Sequence, residues 1–313
     1  MMGDAPLVYV GIDLSTSNST TGVCRINWDD ETMEVGVASR LTVAEVLDKE
    51  FTAAAIDVPF GWPVDFVAAV RAWSDRGQRG ASDGSDAGRD DEDIQAGSSG
   101  DDPGKPLDAT LFRVGYEAAG ERLRFRATDR FVRKAMKADA REERRQGWPS
   151  GLSVTKDMIT GTALHAMHLL GSRYPDLVVG CSFETAPHPV VEAYPSTALR
   201  GWGLEVPPYK GSEGRSGRSH IIEQLAEVST LRGPIEAHRE VLEDNDNLLD
   251  AFICALVARS WHRGHTYLPD EAAVELMGTH CPDWFDELHF YGEVVREGWI
   301  AHPSTDLHDA LSD

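Results

Sequence analysis

The sequence predicts an α/β protein with a mixed central sheet and helices on both faces, and three observations lead there. Short apolar segments crowd the first sixty residues, and the first three are spaced to pair as antiparallel neighbours. After them, apolar strand-like runs alternate with helical ones, the order that lays helices across a sheet. Finally, 313 residues with 41% hydrophobic and 26% charged content suffice for one large core.

The elements follow in order. Residues 7–13 (LVYVGID) are an apolar run ending on an acid and read as a buried strand. Residues 14–20, rich in Ser, Thr and Asn, read as a turn. Residues 21–27 and 33–39 alternate as two further strands about a hairpin at Asp29 and Asp30. Thr42, with Glu45 three residues on, caps a short helix to residue 49. Residues 53–58 (AAAIDV) form a fourth strand, broken by Pro59 and Gly61, and Pro63 opens a helix through residue 73. Residues 157–174 carry apolar side chains at helical spacing. Residues 178–183 and 190–193 read as strands, and Pro195 starts a short helix. A polar loop at 209–217 precedes helices at 219–228 and 246–262.

Two stretches stand apart by charge. Residues 75–108 hold ten acids against four bases and almost nothing apolar, which reads as a disordered or lid-like acidic insertion unable to offset its ordering entropy. Residues 122–145 hold ten Arg or Lys against four acids. The organisation expected is one domain over 1–303, interrupted at 75–108, with residues 304–313 as a frayed acidic tail.

The formal charge of −22 favours solubility and disfavours attachment to nucleic acid or anionic membrane unless a local basic face exists. The longest apolar stretch, 248–258, is interrupted by Asp250 and is too short for a bilayer, which takes about 20 residues. Residues 1–6 lack the basic and apolar regions of a secretory leader. Cys24, Cys181, Cys254 and Cys281 make no CxxC pair and read as reduced, mostly buried thiols of a cytoplasmic protein. Nucleophile-elbow, Walker A and dinucleotide fingerprints are absent.

The chemistry concentrates in carboxylates. Asp13 ends the first strand and Asp57 the fourth, and functional groups in open α/β sheets gather at the carboxyl ends of strands. Glu192 lies in a later strand. Asp246 and Asp250, one helical turn apart, share a helix face. An acid buried in AAAIDVP or LLDAFICALVA is costly without a partner, and several acids crowded together repel unless a cation compensates. Hard oxygen ligands suit Mg2+ or Mn2+. Structural roles compete for each: an Asx-type turn for Asp13, amide bonds to the following turn for Asp57, and an N-cap for Asp246.

The blocks VGIDLS, AIDVPFGWP, TDRFVRK, SVTKDMITGT, VVEAYPSTAL, the Tyr209-Lys210 pair, DNLLDAFICALVAR and EGWIAHP occur in that order. Together they resemble the family catalogued as domain of unknown function 429, over residues 7–303 without the acidic insertion. The resemblance implies a ribonuclease H-like fold, a nuclease-like activity, and Asp13, Asp57 and Asp250 as the first-strand, fourth-strand and helix acids. The DNLLDA block also looks like the last acidic helix of Holliday-junction resolvases. It differs in that Asn247 stands three before Asp250, while Asp246 stands four before it.

Arg130, Arg133, Lys210 and Arg218 are the candidates to hold a phosphate. The leading expectation is a nuclease or phosphodiesterase acting on nucleic acid by two-metal hydrolysis. Asp13, Asp57, Asp246 and Asp250 would be ligands, and Glu192 a ligand or the residue orienting water. Two alternatives are a nucleotide-binding protein of the sugar-kinase and actin type, whose first phosphate loop GIDLSTSNSTTGV resembles, and a catalytically silent interaction scaffold.

Overall fold

The computed structural model describes residues 6–16, 19–38, 40–71, 123–139, 157–174, 189–280 and 287–311. The expected insertion at 75–108 and the expected strand at 178–183 lie outside them, as do Cys181 and Cys281.

The fold is mixed α/β. Strands β1 (Val8–Asp13), β2 (Thr21–Asn27) and β3 (Thr32–Ala38) form an antiparallel meander. β4 (Ala53–Asp57) then pairs parallel with β1, and β5 (Val190–Ala193) parallel with β4. The sheet order is β3-β2-β1-β4-β5. Parallel pairing of β1, β4 and β5 puts their carboxyl ends on one edge, so Asp13, Asp57 and Tyr194 emerge side by side.

Alternation along β1 divides the core. Tyr9 faces one side, Val10 and Ile12 the other, and all three are fully buried. On the second side lie α1 (Arg40–Asp48) and α2 (Asp157–Arg173), packing Val43, Leu47, Leu169 and Leu170 onto Ile12 and Ile56. The first side takes α3 (Pro195–Gly201), α4 (Arg215–Leu225), α5 (Ser229–Asp244) and α6 (Asp246–His262). Helices thus cover both faces, as the alternating pattern predicts.

α6 is apolar all round and buried from Leu248 to Trp261. It starts where Asn245, not Asp246, caps it by accepting from the Asn247 amide at 3.0 Å. It lies directly on the strands at two glycines. A Cβ on Gly11 would stand 1.9 Å from the Ala251 carbonyl oxygen, and one on Gly22 would stand 2.2 Å from that of Asn247. The small residues of VGID and TTGV therefore admit a helix backbone where a side chain would hold it off.

A third apolar cluster joins the short helix Ala127–Arg130 and its π-helical continuation Phe131–Met136 to α7 (Glu271–His280) and α8 (Glu287–Glu297), around Phe131, Met277, Phe290 and Trp299.

The structure corrects the sequence reading in three places. The expected helix at 219–228 begins earlier, at Arg215. α5 is an additional helix, with Leu231, Ile235 and Leu242 at helical spacing despite Pro234 inside it. The end of the chain is not a frayed tail through residue 311. There α9 (Leu307–Leu311) buries Leu307, Ala310 and Leu311 in the main core, and the buried Arg259 donates to the Leu311 carbonyl at 3.3 Å. Three apolar residues among the acids outweigh the charge of this segment.

Candidate functional site

A cleft of about 480 Å3 opens at the carboxyl edge of the sheet, and Asp13, Asp57, Glu192, Lys210 and Asp250 all line it. β1 and β4 deliver the two aspartates at their last residues, each only partly covered. No described residue donates a hydrogen bond to either carboxylate. Burial pushes Asp13 up to about 6, with Lys210 pulling down and Asp246 pushing up. Asp57 goes further, to about 8, through burial and then the neighbouring Asp13 charge, against the pull of Lys210. Two acids that press on each other in this way titrate as a pair.

Asp250 lies opposite, delivered by α6 and completely buried. Its oxygens are occupied: the Tyr209 hydroxyl donates to Oδ1 at 2.9 Å, and the Lys210 ammonium pairs with Oδ2. The shared face expected of Asp246 and Asp250 is realised, because Asp246 accepts from the Gly211 amide at 3.1 Å and both acids grip the 209–211 loop. Asp246 itself stays off the cleft lining, reaching Asp13 only through its charge.

Glu192 is not free to hold a cation or a water. Arg126 donates to both its oxygens, at 2.6 and 2.7 Å, and the Phe60 amide adds a third bond at 3.0 Å. The same guanidinium bonds Asp129 at 2.9 and 3.0 Å and the Glu297 carbonyl at 3.2 Å. Glu297 in turn accepts from the Ala127 and Val64 amides at 2.6 and 2.7 Å, and burial pushes it up to about 7. This buried network forms the floor of the cleft and ties β5 to the turn after β4 and to α8.

The expected quartet of carboxylates around two ions is therefore not formed. Among the described residues no three Asp, Glu, His or Cys side chains make a ready metal cage. Asp250 and Glu192 already hold cations of the protein's own. Asp13 and Asp57 remain, a pair of hard oxygen donors open to the cleft. That suits a Mg2+ or Mn2+ ion, which commonly takes one or two carboxylates and completes its shell with water and substrate phosphate.

Of the four expected phosphate holders, only Lys210 faces the cleft. Arg130 is buried against Glu293. Arg133 lies over the Phe125 ring, 4.4 Å from its centre. Arg218 is spent on carbonyls, of Tyr209 at 2.6 Å, Gly211 at 2.8 Å and Glu243 at 2.6 Å, so it shapes the loop that presents Lys210. A second basic residue lining the cleft, Arg126, is not among the candidates the sequence suggests. Its only sequence signal is Asp129 three residues on, at the start of a helix. Tyr194, a lining residue at the end of β5 pushed up to about 12 by burial, gives no signal beyond its place before Pro195. The Ser/Thr turn after β1 closes partly on itself: Thr20 donates to the Ser15 hydroxyl at 2.7 Å, and the Ser15 amide to Thr21 at 3.1 Å.

Fold and site together define a mixed α/β protein with a carboxylate-lined cleft at the carboxyl edge of its sheet. The chain belongs to the family described as "Protein of unknown function (DUF429)", whose model matches residues 11–274. The match takes in Asp13, Asp57, Arg126, Glu192, Tyr194, Lys210 and Asp250. No curated protein and no solved structure matches the chain. Among the described residues no helix is long and apolar enough to cross a membrane.

Proposed function

We propose that the chain is a divalent-cation-dependent phosphodiesterase of the nuclease-like, ribonuclease H-like type. The observation that carries this reading is the pair of carboxylates, Asp13 and Asp57, that no described residue hydrogen-bonds, set by two parallel strands at the mouth of a cleft that also presents Lys210. A meander extended by two parallel strands, with acids ending the first and the fourth, supports the fold assignment.

Asp13 and Asp57 would hold one Mg2+ or Mn2+ ion. Bound there, the ion would cancel the repulsion of the two acids and polarise a phosphoryl oxygen. Lys210 supplies the opposing positive charge. Its ammonium is anchored by Asp250, so it meets the negative charge on the phosphoryl oxygens in a fixed position. Tyr209 and Arg218 hold that arrangement from behind. The Arg126 network keeps β5 and the turn after β4 at a set distance, which preserves the separation of the reacting groups.

The test is hydrolysis of a chromogenic phosphodiester with and without Mn2+, for the wild type, Asp13→Asn and Asp57→Asn. Activity that requires Mn2+ and falls by about 10² or more in either variant is expected. Activity that survives both EDTA and Asp13→Asn overturns the reading.

A further inference from the structure

We infer that this cleft takes a phosphodiester of single-nucleotide size, and that a nucleic-acid strand is not its substrate. The inference rests on the phosphodiesterase reading and adds the substrate class. Three observations carry it.

The first is the electrostatics around the site. A polymer is held by neutralising a run of phosphates, but among the described residues the arginines in and behind this cleft are already paired within the protein. Arg126 is saturated by Asp129, Glu192 and the Glu297 carbonyl, and Arg130 is buried against Glu293. Arg218 is spent on three carbonyls. Arg215, at the start of α4, is paired with Glu243 and Asp244. Among the described residues, Lys210 is the one lining cation with an exposed side chain, 53% accessible. One cation suits one phosphate. The formal charge of −22 adds general repulsion of a polyanion.

The second is size. A cleft of about 480 Å3 falls inside the range of roughly 300–1,000 Å3 that surrounds a small organic ligand.

The third is the division of the lining. The acids and Lys210 share the cleft with the apolar lining residues Leu14, Val58, Pro59, Ile159 and Ile300, and with Tyr194. A phosphate at the polar groups and a flat, weakly polar base or comparable group against these apolar side chains would satisfy both parts. In the reaction the oxygen of water bonds to phosphorus as one ester P–O bond breaks. One water proton ends on the departing alcohol oxygen and the other on the product phosphate, so a diester anion and water give a monoester and an alcohol.

The experiment compares substrates on the full chain with Mn2+. It measures kcat/KM for thymidine 5′-(p-nitrophenyl) phosphate and 3′,5′-cyclic AMP, and for a single-stranded and a duplex oligonucleotide. Binding of cyclic AMP and of the single strand to Asp13→Asn protein is measured alongside by calorimetry as a function of salt. Nucleotide-sized diesters are expected to be cleaved at least a hundred-fold more efficiently than any bond of the polymers. Cyclic AMP affinity should fall less than about ten-fold between about 50 and 200 mM salt, where a polymer held by several phosphates loses about 10³ or more. Ile159→Trp, which fills the apolar side from α2, should abolish cyclic AMP binding without lowering Tm. Lys210→Gln should weaken it at least ten-fold, with Lys210→Arg restoring most of the loss.

Polymer cleavage as efficient as that of the small diesters, or cyclic AMP binding indifferent to Ile159→Trp, overturns this inference and leaves the phosphodiesterase reading standing. Mn2+-independent turnover, or none on any substrate while cyclic AMP still binds in an Ile159→Trp-sensitive way, overturns that reading and leaves the ligand class standing. No binding of cyclic AMP at all overturns the ligand class.

Discussion

At the scale of residues, the site is a set of charges matched or left unmatched by chain neighbours far away in sequence. Asp13 and Asp57 are both held above the usual carboxylate range, to about 6 and about 8, by burial first, with Asp246's charge also raising Asp13 and Asp13's charge also raising Asp57. The sign of the resulting pH dependence follows from linkage. Between the ordinary value of 3.8 and these raised values the folded chain holds more protons than the unfolded one, so cation-free stability falls as pH rises through that window. Urea denaturation in EDTA should show this decline from pH 5 to pH 8, and Mn2+ should flatten it. Asp57→Asn should do the same without metal, while removing the Mn2+-dependent rise in Tm. Arg126 is the opposite case, a buried cation with every partner in place. Arg126→Met leaves Asp129 and Glu192 buried without their cation, and about 3–5 kcal/mol of stability should be lost in urea titrations. The strand-end acids and Lys210 were legible in the sequence because position along a strand or next to a gripped loop is a local property. The pairing of Arg126 with Glu192, and the diversion of Arg130 and Arg218, were not. Such partners are chosen by the fold, across 66 residues in the first case, and nothing in either local stretch records them.

At the scale of elements, the strands of the sheet and α6 were readable from period and boundary residues, and β2, β5 and α6 have the bounds the pattern predicts. α5 was not, because Gly233 and Pro234 sit in the middle of an otherwise regular apolar spacing and mimic a break. The element that matters most to the site is α6, seated on Gly11 and Gly22. Gly11→Ala places a methyl group against the Ala251 carbonyl, so the helix must rise or the strand must bend. A loss of about 1–3 kcal/mol is expected from overpacking. Because Asp250 rides on the same helix turn, cleft ligand affinity should drop together with stability. An Ala variant that loses stability alone would show that the helix yields somewhere other than at the site.

At the scale of the whole molecule, the two faces of the sheet and the satellite cluster of α7 and α8 meet at the cleft, and the end of the chain closes the first face. The polar and acidic composition of residues 304–313 hid α9, since three apolar side chains in so short a stretch, interleaved with three acids, leave little periodic signal. Truncation before residue 304 should expose the core beneath Leu307 and Leu311. With about 1.5–3 kcal/mol for each buried leucine, the loss should reach roughly 3–6 kcal/mol by equilibrium unfolding. That outcome would also show that α9, which lies beyond residue 274, is structurally part of the folded unit.

The glycine seats under α6 carry one more implication. With no layer of side chains between helix and strands at Gly11 and Gly22, that joint has nothing compressible in it, and sliding there would drive backbone into backbone. The side of the cleft built from β1, β4 and α6 therefore works as a fixed datum, and accommodation of differently shaped occupants falls to the α2 side. Hydrogen exchange should report the asymmetry as amides of α6 that open only with global unfolding and amides of α2 that open well before it.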